Sequence, residues 1–175
     1  MFEIVCFLWF FIPWLSGNII ISNCYFLISI VTQYLRKKMK IVIVGAGGVG
    51  GYFGGRLLEA GEDVHFIARG DHLRAMNTSG LKILSPLGDM HLRDPKCSQN
   101  PEDIGPSDIV LICVKLWATE DAISLLPPLL KSSTAVISLQ NGVVAVETLL
   151  KNLDASHVVG GVSRIAALIE ESGVI

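Results

Sequence analysis

The sequence predicts an α/β fold in which helices cover both faces of a doubly wound parallel sheet, as one domain behind an apolar N-terminal extension. Two observations lead to this fold class. From Lys40 onward, short runs of apolar, β-branched residues alternate with helical patterns, which is typical of βαβ units. The first of these runs is followed at once by a glycine-rich turn and a helical pattern.

The first βαβ unit is predicted from three consecutive segments. Each strand in it is a short apolar run of the kind that a parallel sheet buries on both faces. The helix between them ends at Gly61, a typical C-terminal stop. The predicted elements are a strand at Lys40–Val44, a helix at Gly51–Ala60 and a strand at Asp63–Ala68.

The glycine turn in this unit has the spacing Gly-x-Gly-x-x-Gly, which is diagnostic in this position of a Rossmann dinucleotide-binding fold. Gly45 permits the tight turn, Gly47 lets the backbone approach a pyrophosphate, and Gly50 allows close packing of helix on strand. The helix N-terminus then offers free N–H groups to the phosphates. A glycine-rich loop without a ligand is the alternative, which the flanking strand and helix disfavour. The predicted cofactor-binding residues are Gly45, Ala46, Gly47, Gly48, Val49 and Gly50.

The end of the second strand indicates which dinucleotide would bind. An acidic residue there bonds the ribose 2′-hydroxyl of NAD, whereas an arginine suits the 2′-phosphate of NADP. Arg69 occupies this position, and its guanidinium could pair bidentately with a phosphate. The alternative is a solvated surface charge. Asp71 falls beyond Gly70, in the cap of the next helix, and His72 is expected to face solvent there. The sequence therefore favours NADPH.

The remainder of the chain continues the same alternation, with one predicted hairpin inserted. A long loop rich in Pro, Asp and Gly is predicted at Asp94–Ser107, and Pro127-Pro128 must break the helix in which they fall. The predicted elements are a helix at Asp71–Asn77, hairpin strands at Leu81–Leu84 and Met90–Arg93, a strand at Ile109–Val114, a helix at Ala118–Leu130, a strand at Ala135–Leu139, a helix at Val144–Asn152 and a strand at Val158–Val162.

Two further polar residues directly follow predicted strands. Lys115 comes after Cys113-Val114, and Asn141 comes after Leu139-Gln140. Taken singly, such a lysine is commonly a surface residue and such an asparagine commonly makes a turn. Ligands in open α/β sheets bind outside the carboxyl ends of the strands, where the glycine turn and Arg69 also fall. Their shared placement favours a functional role for both residues.

Residues 1–38 form the apolar extension and differ in composition from the rest. They contain two apolar runs, Ile4–Leu15 and Ile19–Leu35, separated by a break at Ser16-Gly17-Asn18. Three basic residues, Arg36-Lys37-Lys38, follow the second run. Three interpretations compete: a membrane anchor through residues 4–35 that leaves the domain on the cytoplasmic side, a buried or interfacial hairpin, and a mis-assigned start upstream of the true Met39. The last is favoured because Met39 lies one residue before the first strand. The domain is then expected to be cytoplasmic.

Charge and cysteine usage exclude several classes of function. The formal net charge of −2 does not suggest a nucleic-acid partner, which would require a basic surface. The four cysteines form no Cys-x-x-Cys pair and have no histidine cluster nearby, so neither a disulfide framework nor a metal site is predicted. Reduced thiols in a cytosolic compartment are the simpler interpretation.

Four separated motifs of the domain resemble one known family. They are M-K-I-V-I-V-G-A-G-G-V-G-G-Y-F-G-G-R-L from Met39, I-A-R-G from Ile67, V-K-L-W from Val114 and L-Q-N-G-V from Leu139. In order and spacing they resemble 2-dehydropantoate 2-reductase, also called ketopantoate reductase. The resemblance implies NADPH-dependent reduction of 2-dehydropantoate to (R)-pantoate, in pantothenate and coenzyme A synthesis.

The resemblance also implies roles for individual residues. Gly45–Gly50 would hold the pyrophosphate and Arg69 the 2′-phosphate. Lys115 and Asn141 would border the nicotinamide and the 2-keto acid substrate, as both catalytic and cofactor-binding residues. Ala167 corresponds to a backbone contact with the cofactor.

The chain departs from this family in two ways. Family members begin near the equivalent of Met39, and they continue into a helical C-terminal domain that supplies the general-acid lysine and most substrate contacts. Residues 39–175 are therefore expected to be the NADPH-binding half of such an enzyme, inactive alone unless a C-terminal domain completes it. Two alternatives stay open: a non-catalytic NAD(P)-binding module tethered to a membrane, and a fragment of a broken gene.

Overall fold

The computed structural model of this chain describes residues 38–142 and 144–175. Eight strands and four α-helices alternate along this part of the chain, with three short 3₁₀ turns at Pro101–Asp103, Leu116–Ala118 and Pro127–Leu129. In chain order the elements are β1 (Lys40–Val44), α1 (Gly48–Glu59), β2 (Asp63–Ile67), α2 (Gly70–Ser79), β3 (Leu81–Ile83), β4 (Met90–Leu92), β5 (Lys96–Ser98), β6 (Ile109–Ile112), α3 (Thr119–Ser124), β7 (Ala135–Ser138), α4 (Val144–Asn152) and β8 (Val158–Val159).

Six of the strands form one parallel sheet in the order β5-β2-β1-β6-β7-β8. The chain runs outward from β1 to β2 on one side and from β6 to β8 on the other, so the order reverses beside β1. This arrangement confirms the predicted doubly wound sheet. β1 lies at the centre, where Val44 pairs in register with Ile67 of β2 and with Ile112 of β6.

The two faces of the sheet carry separate apolar cores. One face packs against α1, α2 and the β3–β4 hairpin, and its buried side chains include Phe66, Met76 and Leu81. The other face packs against α3, α4 and the turns between them, around Leu126 and Leu149. Because both faces are covered, Ile41, Val42, Ile43 and Val44 of β1 are all at most 2% exposed.

The sequence prediction was wrong about one strand. Within the predicted loop Asp94–Ser107, residues Lys96–Ser98 form β5 and pair with β2 at the edge of the sheet. Only Cys97 of the three is apolar, so neither a buried run nor an alternating pattern signals this strand. The strand forms because the backbone of β2 pairs with it, and Ala68 extends the pairing by donating to the Ser98 carbonyl at 3.1 Å.

The remaining elements follow their predicted positions closely. Leu81–Ile83 and Met90–Leu92 pair antiparallel as the predicted hairpin, and α4 has its predicted bounds. The proline pair breaks the predicted Ala118–Leu130 helix into α3 and a 3₁₀ turn at Pro127–Leu129, because proline cannot donate the next helical hydrogen bond. β6 and β7 end one or two residues before their predicted ends, and β8 ends at Val159 instead of the predicted Val162, since the chain turns out of the sheet there. α1 begins at Gly48, three residues before its predicted start, because the last glycines of the turn already take the helical conformation.

The last described residues return to the hairpin. Lys82 donates to the Gly173 carbonyl at 2.9 Å, and Ile175 donates to the Lys82 carbonyl at 2.9 Å. Residues 173–175 therefore run alongside β3, and Ile175 is 7% exposed within the first core.

The interpretations offered for residues 1–37, including the membrane anchor through residues 4–35, lie outside the described residues. Among residues 38–142 and 144–175, no helix has the length and apolar character needed to cross a membrane.

Candidate functional site

The glycine turn connects β1 to α1 at the point where the strand order reverses. Gly45 has φ +96°, in the left-handed region that favours glycine. Its N–H donates to the Ile67 carbonyl at 3.0 Å, and a side chain here would lie 2.7 Å from Cγ1 of Val114. The turn is therefore held between β2 and β6 with no room for a larger residue.

Gly47 lies on the open side of the same turn. Apart from its chain neighbours, no described atom lies within 4 Å of the position that a Cβ would take there. Gly47 is the N-terminal cap of α1, with φ −74°, and no side chain caps the helix. This 12-residue helix thus begins next to open space at Gly47, at the positive end of the helix dipole. This is the arrangement that binds phosphate groups at helix N-termini.

The segment containing Ala167 passes over the start of α1. A Cβ at Gly48 would overlap the carbonyl of Ala167, so the two backbones are in direct contact. The structure therefore places Ala167, named by the family resemblance as a cofactor contact, beside the glycine turn. Its role in binding stays a prediction.

Arg69 lies immediately beyond β2, as the N-terminal cap of α2. Its side chain is exposed and forms no hydrogen bond or ion pair within the described part of the chain. Because Ile67 and Val44 are paired in register, the glycine turn and Arg69 follow neighbouring strands at the same edge of the sheet, where the carboxyl ends of the strands lie. A free guanidinium at this place could receive a phosphate.

Lys115 and Asn141 leave the sheet from the next two strands at this same edge. Ile112 of β6 pairs with Val44 on one side and with Ser138 of β7 on the other. Lys115 and Asn141 are both exposed. The structure thus brings the glycine turn, Arg69, Lys115 and Asn141 to one edge, as the sequence predicted from strand ends, while their chemical roles stay predictions.

Gln140 is a residue of this edge that the sequence reasoning missed. Its side-chain amide donates to the carbonyl of Val114 at 3.0 Å and to Oγ1 of Thr119 at 2.9 Å. Its Oε1 lies 3.1 Å from the hydroxyl of Ser138, which donates to it. The side chain therefore ties the β7 loop, which carries Asn141, to the β6 loop, which carries Lys115. No local pattern signals this, because the partners lie 21 and 26 residues away.

Replacing Gln140 by leucine is expected to loosen both loops. The buried Thr119 and the Val114 carbonyl lose their donor, and an unsatisfied buried polar group costs about 1–3 kcal/mol. We expect the free energy of unfolding in urea to fall by this amount and NADPH to bind several-fold more weakly, as measured by fluorescence titration. Asn152→Leu is the matched control, because Asn152 makes a similar amide bond to Thr148 on the exposed side of α4. Unchanged NADPH affinity in Gln140→Leu would contradict a role for Gln140 in holding the two loops at the site.

Two groups near the turn have altered acid–base behaviour. Burial raises the pKa of the Cys113 thiol to about 12, so the thiol stays protonated and is not a nucleophile. Burial also lowers the pKa of His72. The expectation that His72 faces solvent is wrong: its ring is half-buried, and Nδ1 accepts a hydrogen bond from the backbone N–H of Gly173 at 3.1 Å.

A cleft of about 450 Å³ lies beside this site, between the hairpin loop and the segment over α1. Tyr52, Leu84, Leu87, Ala167 and Leu168 are among its largely apolar lining residues. Only Ala167 is shared with the predicted site. Among the described residues, no group of three or more His, Cys, Asp or Glu side chains could hold a metal ion.

Comparison with known proteins gives one consistent result. The model of the family described as ketopantoate reductase PanE/ApbA matches residues 41–175. The chain is 34% identical over 137 residues to a 2-dehydropantoate 2-reductase of Pyrococcus abyssi, covering 78% of this chain and 44% of that protein. The crystal structure of 2-dehydropantoate 2-reductase from Geobacter metallireducens GS-15 superposes with a TM-score of 0.74 at 39% identity, over 78% of this chain and 45% of that one.

A more distant structure shares the fold alone. D-Mandelate dehydrogenase, solved with NADH and anilino(oxo)acetate, is 24% identical with a TM-score of 0.71, over 78% of this chain and 44% of that one. This chain thus spans less than half the length of the proteins it resembles.

Proposed function

The chain belongs to the ketopantoate reductase PanE/ApbA family, and from this premise we propose that its described domain binds NADPH at the carboxyl edge of the parallel sheet. One observation carries the proposal. The start of α1, which no side chain caps, opens beside Gly47, and an arginine without a partner among the described residues follows the neighbouring strand at the same edge. Backbone N–H groups of the turn would hold the pyrophosphate, and Arg69 would hold the 2′-phosphate.

The choice of NADPH over NADH depends on Arg69. The position after β2 carries a cation where an acidic residue would select NAD. Asp71, the nearest carboxylate along the chain, pairs with Arg74 on α2. A 2′-phosphate would therefore meet a free guanidinium, whereas the hydroxyl of NADH would leave that guanidinium without its partner.

Replacing Arg69 by alanine is expected to weaken NADPH binding by about 10- to 100-fold, since a hydrogen bond to a charged group contributes about 1.5–3 kcal/mol. NADH affinity should change little, because NADH lacks the phosphate. Both affinities are measured by fluorescence titration of purified protein. Arg74→Ala is the control, since Arg74 is another exposed cation, on the helix that Arg69 caps. Equal affinities for NADPH and NADH in the parent chain would contradict the proposal.

For the whole protein we propose the family reaction, reduction of 2-dehydropantoate to pantoate. Bound NADPH supplies a hydride to the ketone carbon. Lys115 and Asn141, at the ends of neighbouring strands, would border the nicotinamide and orient the keto acid through its oxygens. The cationic Lys115 would favour the negative charge that develops on the ketone oxygen. A C-terminal domain of the kind found in the family would supply the general acid, and a cytoplasmic location is part of this proposal.

The competing function is a nucleotide-binding module without chemistry. Its support is that both Lys115 and Asn141 are exposed, so the described residues alone provide no enclosed site for the reaction. An assay of 2-dehydropantoate-dependent NADPH oxidation distinguishes the two functions. Oxidation that Lys115→Ala abolishes would support the reductase, and tight NADPH binding without oxidation would support the module. Tethering of such a module to a membrane concerns residues 4–35, outside the described residues.

A further inference from the structure

His72 connects distant parts of the nucleotide site. It lies in the first turn of α2, three residues after Arg69. Its Nδ1 accepts from the N–H of Gly173 at 3.1 Å, across 101 residues of sequence. Gly173 belongs to the segment that places Ala167 on the glycine turn. One side of the imidazole therefore holds the segment that covers the start of α1.

The other ring nitrogen faces inward and lacks a partner. Nε2 is buried and forms no hydrogen bond within the described residues. A neutral ring whose Nδ1 accepts a hydrogen bond carries its proton on Nε2, so a buried donor is left over. A weak hydrogen bond with the backbone of Ala46 raises the pKa of His72 against the larger lowering by burial, but its geometry falls short of a full hydrogen bond to Nε2. Ala46 lies in the glycine turn.

A buried donor without an acceptor is destabilising and rare in folded proteins. Such a group indicates that the structure has a second arrangement in which the donor is satisfied. Ala46 offers the suitable acceptor, because a small shift of the turn would bring its carbonyl into full hydrogen-bond geometry with Nε2. A nucleotide bound along Gly47 would produce this shift if it drew the Gly47 N–H toward its phosphate.

The geometry of a peptide bond connects these two events. The Ala46 carbonyl and the Gly47 N–H belong to one planar trans peptide, so they point in opposite directions. A donor that fixes the carbonyl on the protein side therefore aims the Gly47 N–H away from it, and the Cβ position of the same residue has no described atom within 4 Å apart from its chain neighbours. Fixing one end of this peptide thus directs the other.

We propose that His72 is a positioning residue of the nucleotide site: its Nε2–H bonds the Ala46 carbonyl when nucleotide is bound and thereby aims the Gly47 N–H at the pyrophosphate. Through Nδ1 the same ring holds the Gly173 segment in place. The ligand class is a dinucleotide with a pyrophosphate, so the inference rests on the proposed function. His72 touches no part of the ligand itself.

Three substitutions test the roles of the two ring nitrogen atoms separately. His72→Gln retains an amide donor near the position of Nε2, His72→Asn retains an acceptor near the position of Nδ1, and His72→Leu removes both. Affinities for NADPH and NADH are measured by fluorescence titration of the full chain, and the free energy of unfolding is measured in urea.

We expect His72→Leu to weaken binding of both nucleotides about tenfold, because the pyrophosphate is common to them. His72→Gln should stay within about threefold of the parent, whereas His72→Asn should bind as weakly as His72→Leu although it keeps the Gly173 bond and more of the stability. Affinities that simply follow stability, with His72→Gln no better than His72→Asn, would show a merely structural role and overturn the proposal.

A measurement on the unmutated chain covers the case in which the variants fail to fold. In protein with ¹⁵N-labelled histidine, NMR should show His72 protonated on Nε2, with that proton protected from exchange once NADPH is bound. Protonation on Nδ1 in the NADPH-bound protein would overturn the proposal. If the parent chain and His72→Leu bind NADPH equally well, the role of His72 is refuted and the proposed function is not. A parent chain that binds neither nucleotide refutes the proposed function, and the role of His72 with it.

Discussion

The Gly47→Ala chain is expected to fold at least as stably as its parent and yet to bind NADPH at least about 30-fold more weakly. Among the described residues, apart from its chain neighbours, no atom lies within 4 Å of the new methyl group, and the backbone at φ −74° is one that alanine adopts readily. Removing a glycine at such a position stabilises the fold by about 0.4–1 kcal/mol, because the unfolded chain loses freedom. Since nothing in the described part of the chain collides with the new methyl group, the expected collision is with a ligand.

This substitution separates a binding site from a turn that merely needs glycine. Overpacking by one methyl group costs about 1–3 kcal/mol, and here that cost would fall entirely on the bound state. Urea unfolding measures the stability, and fluorescence titration measures the affinities for NADPH and NADH, which should fall together. Gly160→Ala is a suitable control, since its Cβ position is also open. NADPH affinity that survives Gly47→Ala would place the pyrophosphate elsewhere.

The Gly50→Ala chain should show the opposite result, with the fold itself lost or weakened by about 3 kcal/mol or more. A Cβ at Gly50 would overlap the carbonyl oxygen of Gly45, and it would lie 2.8 Å from Ile43 and 2.9 Å from Cys113. Backbone and central strand surround it, so no flexible side chain can move aside. Circular dichroism during urea unfolding measures this loss.

The comparison of the two glycines gives the Gly50 test its control. They lie three residues apart in one turn, and each receives the same added methyl group. Gly50→Ala should lower stability and Gly47→Ala should not. A Gly50→Ala chain as stable as its parent would mean that α1 can move away from β1, contrary to the close contact seen here.

The sequence was sufficient for the features that depend on local pattern. The buried runs of β1 and β6, the glycine turn and the proline break each follow from a few adjacent residues. The shared edge of the glycine turn, Arg69, Lys115 and Asn141 followed from the rule that parallel strands end together. These predictions needed no knowledge of which side chains touch.

The features that were missed depend on partners distant in sequence. β5 is a strand because β2 offers it an edge, since its own residues carry almost no strand signal. Gln140 and His72 look like ordinary polar residues until the carbonyl of Val114 and the N–H of Gly173 are brought to them. Hydrogen bonds across 26 and 101 residues leave no trace in local periodicity.

The segment over α1 also determines the order in which this domain can fold. Local contacts form early and contacts between distant residues form late, because closing long loops costs entropy first. The glycine turn is made near the start of the domain, whereas Ala167 covers Gly48 and Ile175 packs against Gly51. During synthesis, more than a hundred further residues must therefore be added before the contacts of Ala167 and Ile175 with this region can form. We expect nucleotide to bind only at the last stage of folding, after residues 167–175 have docked.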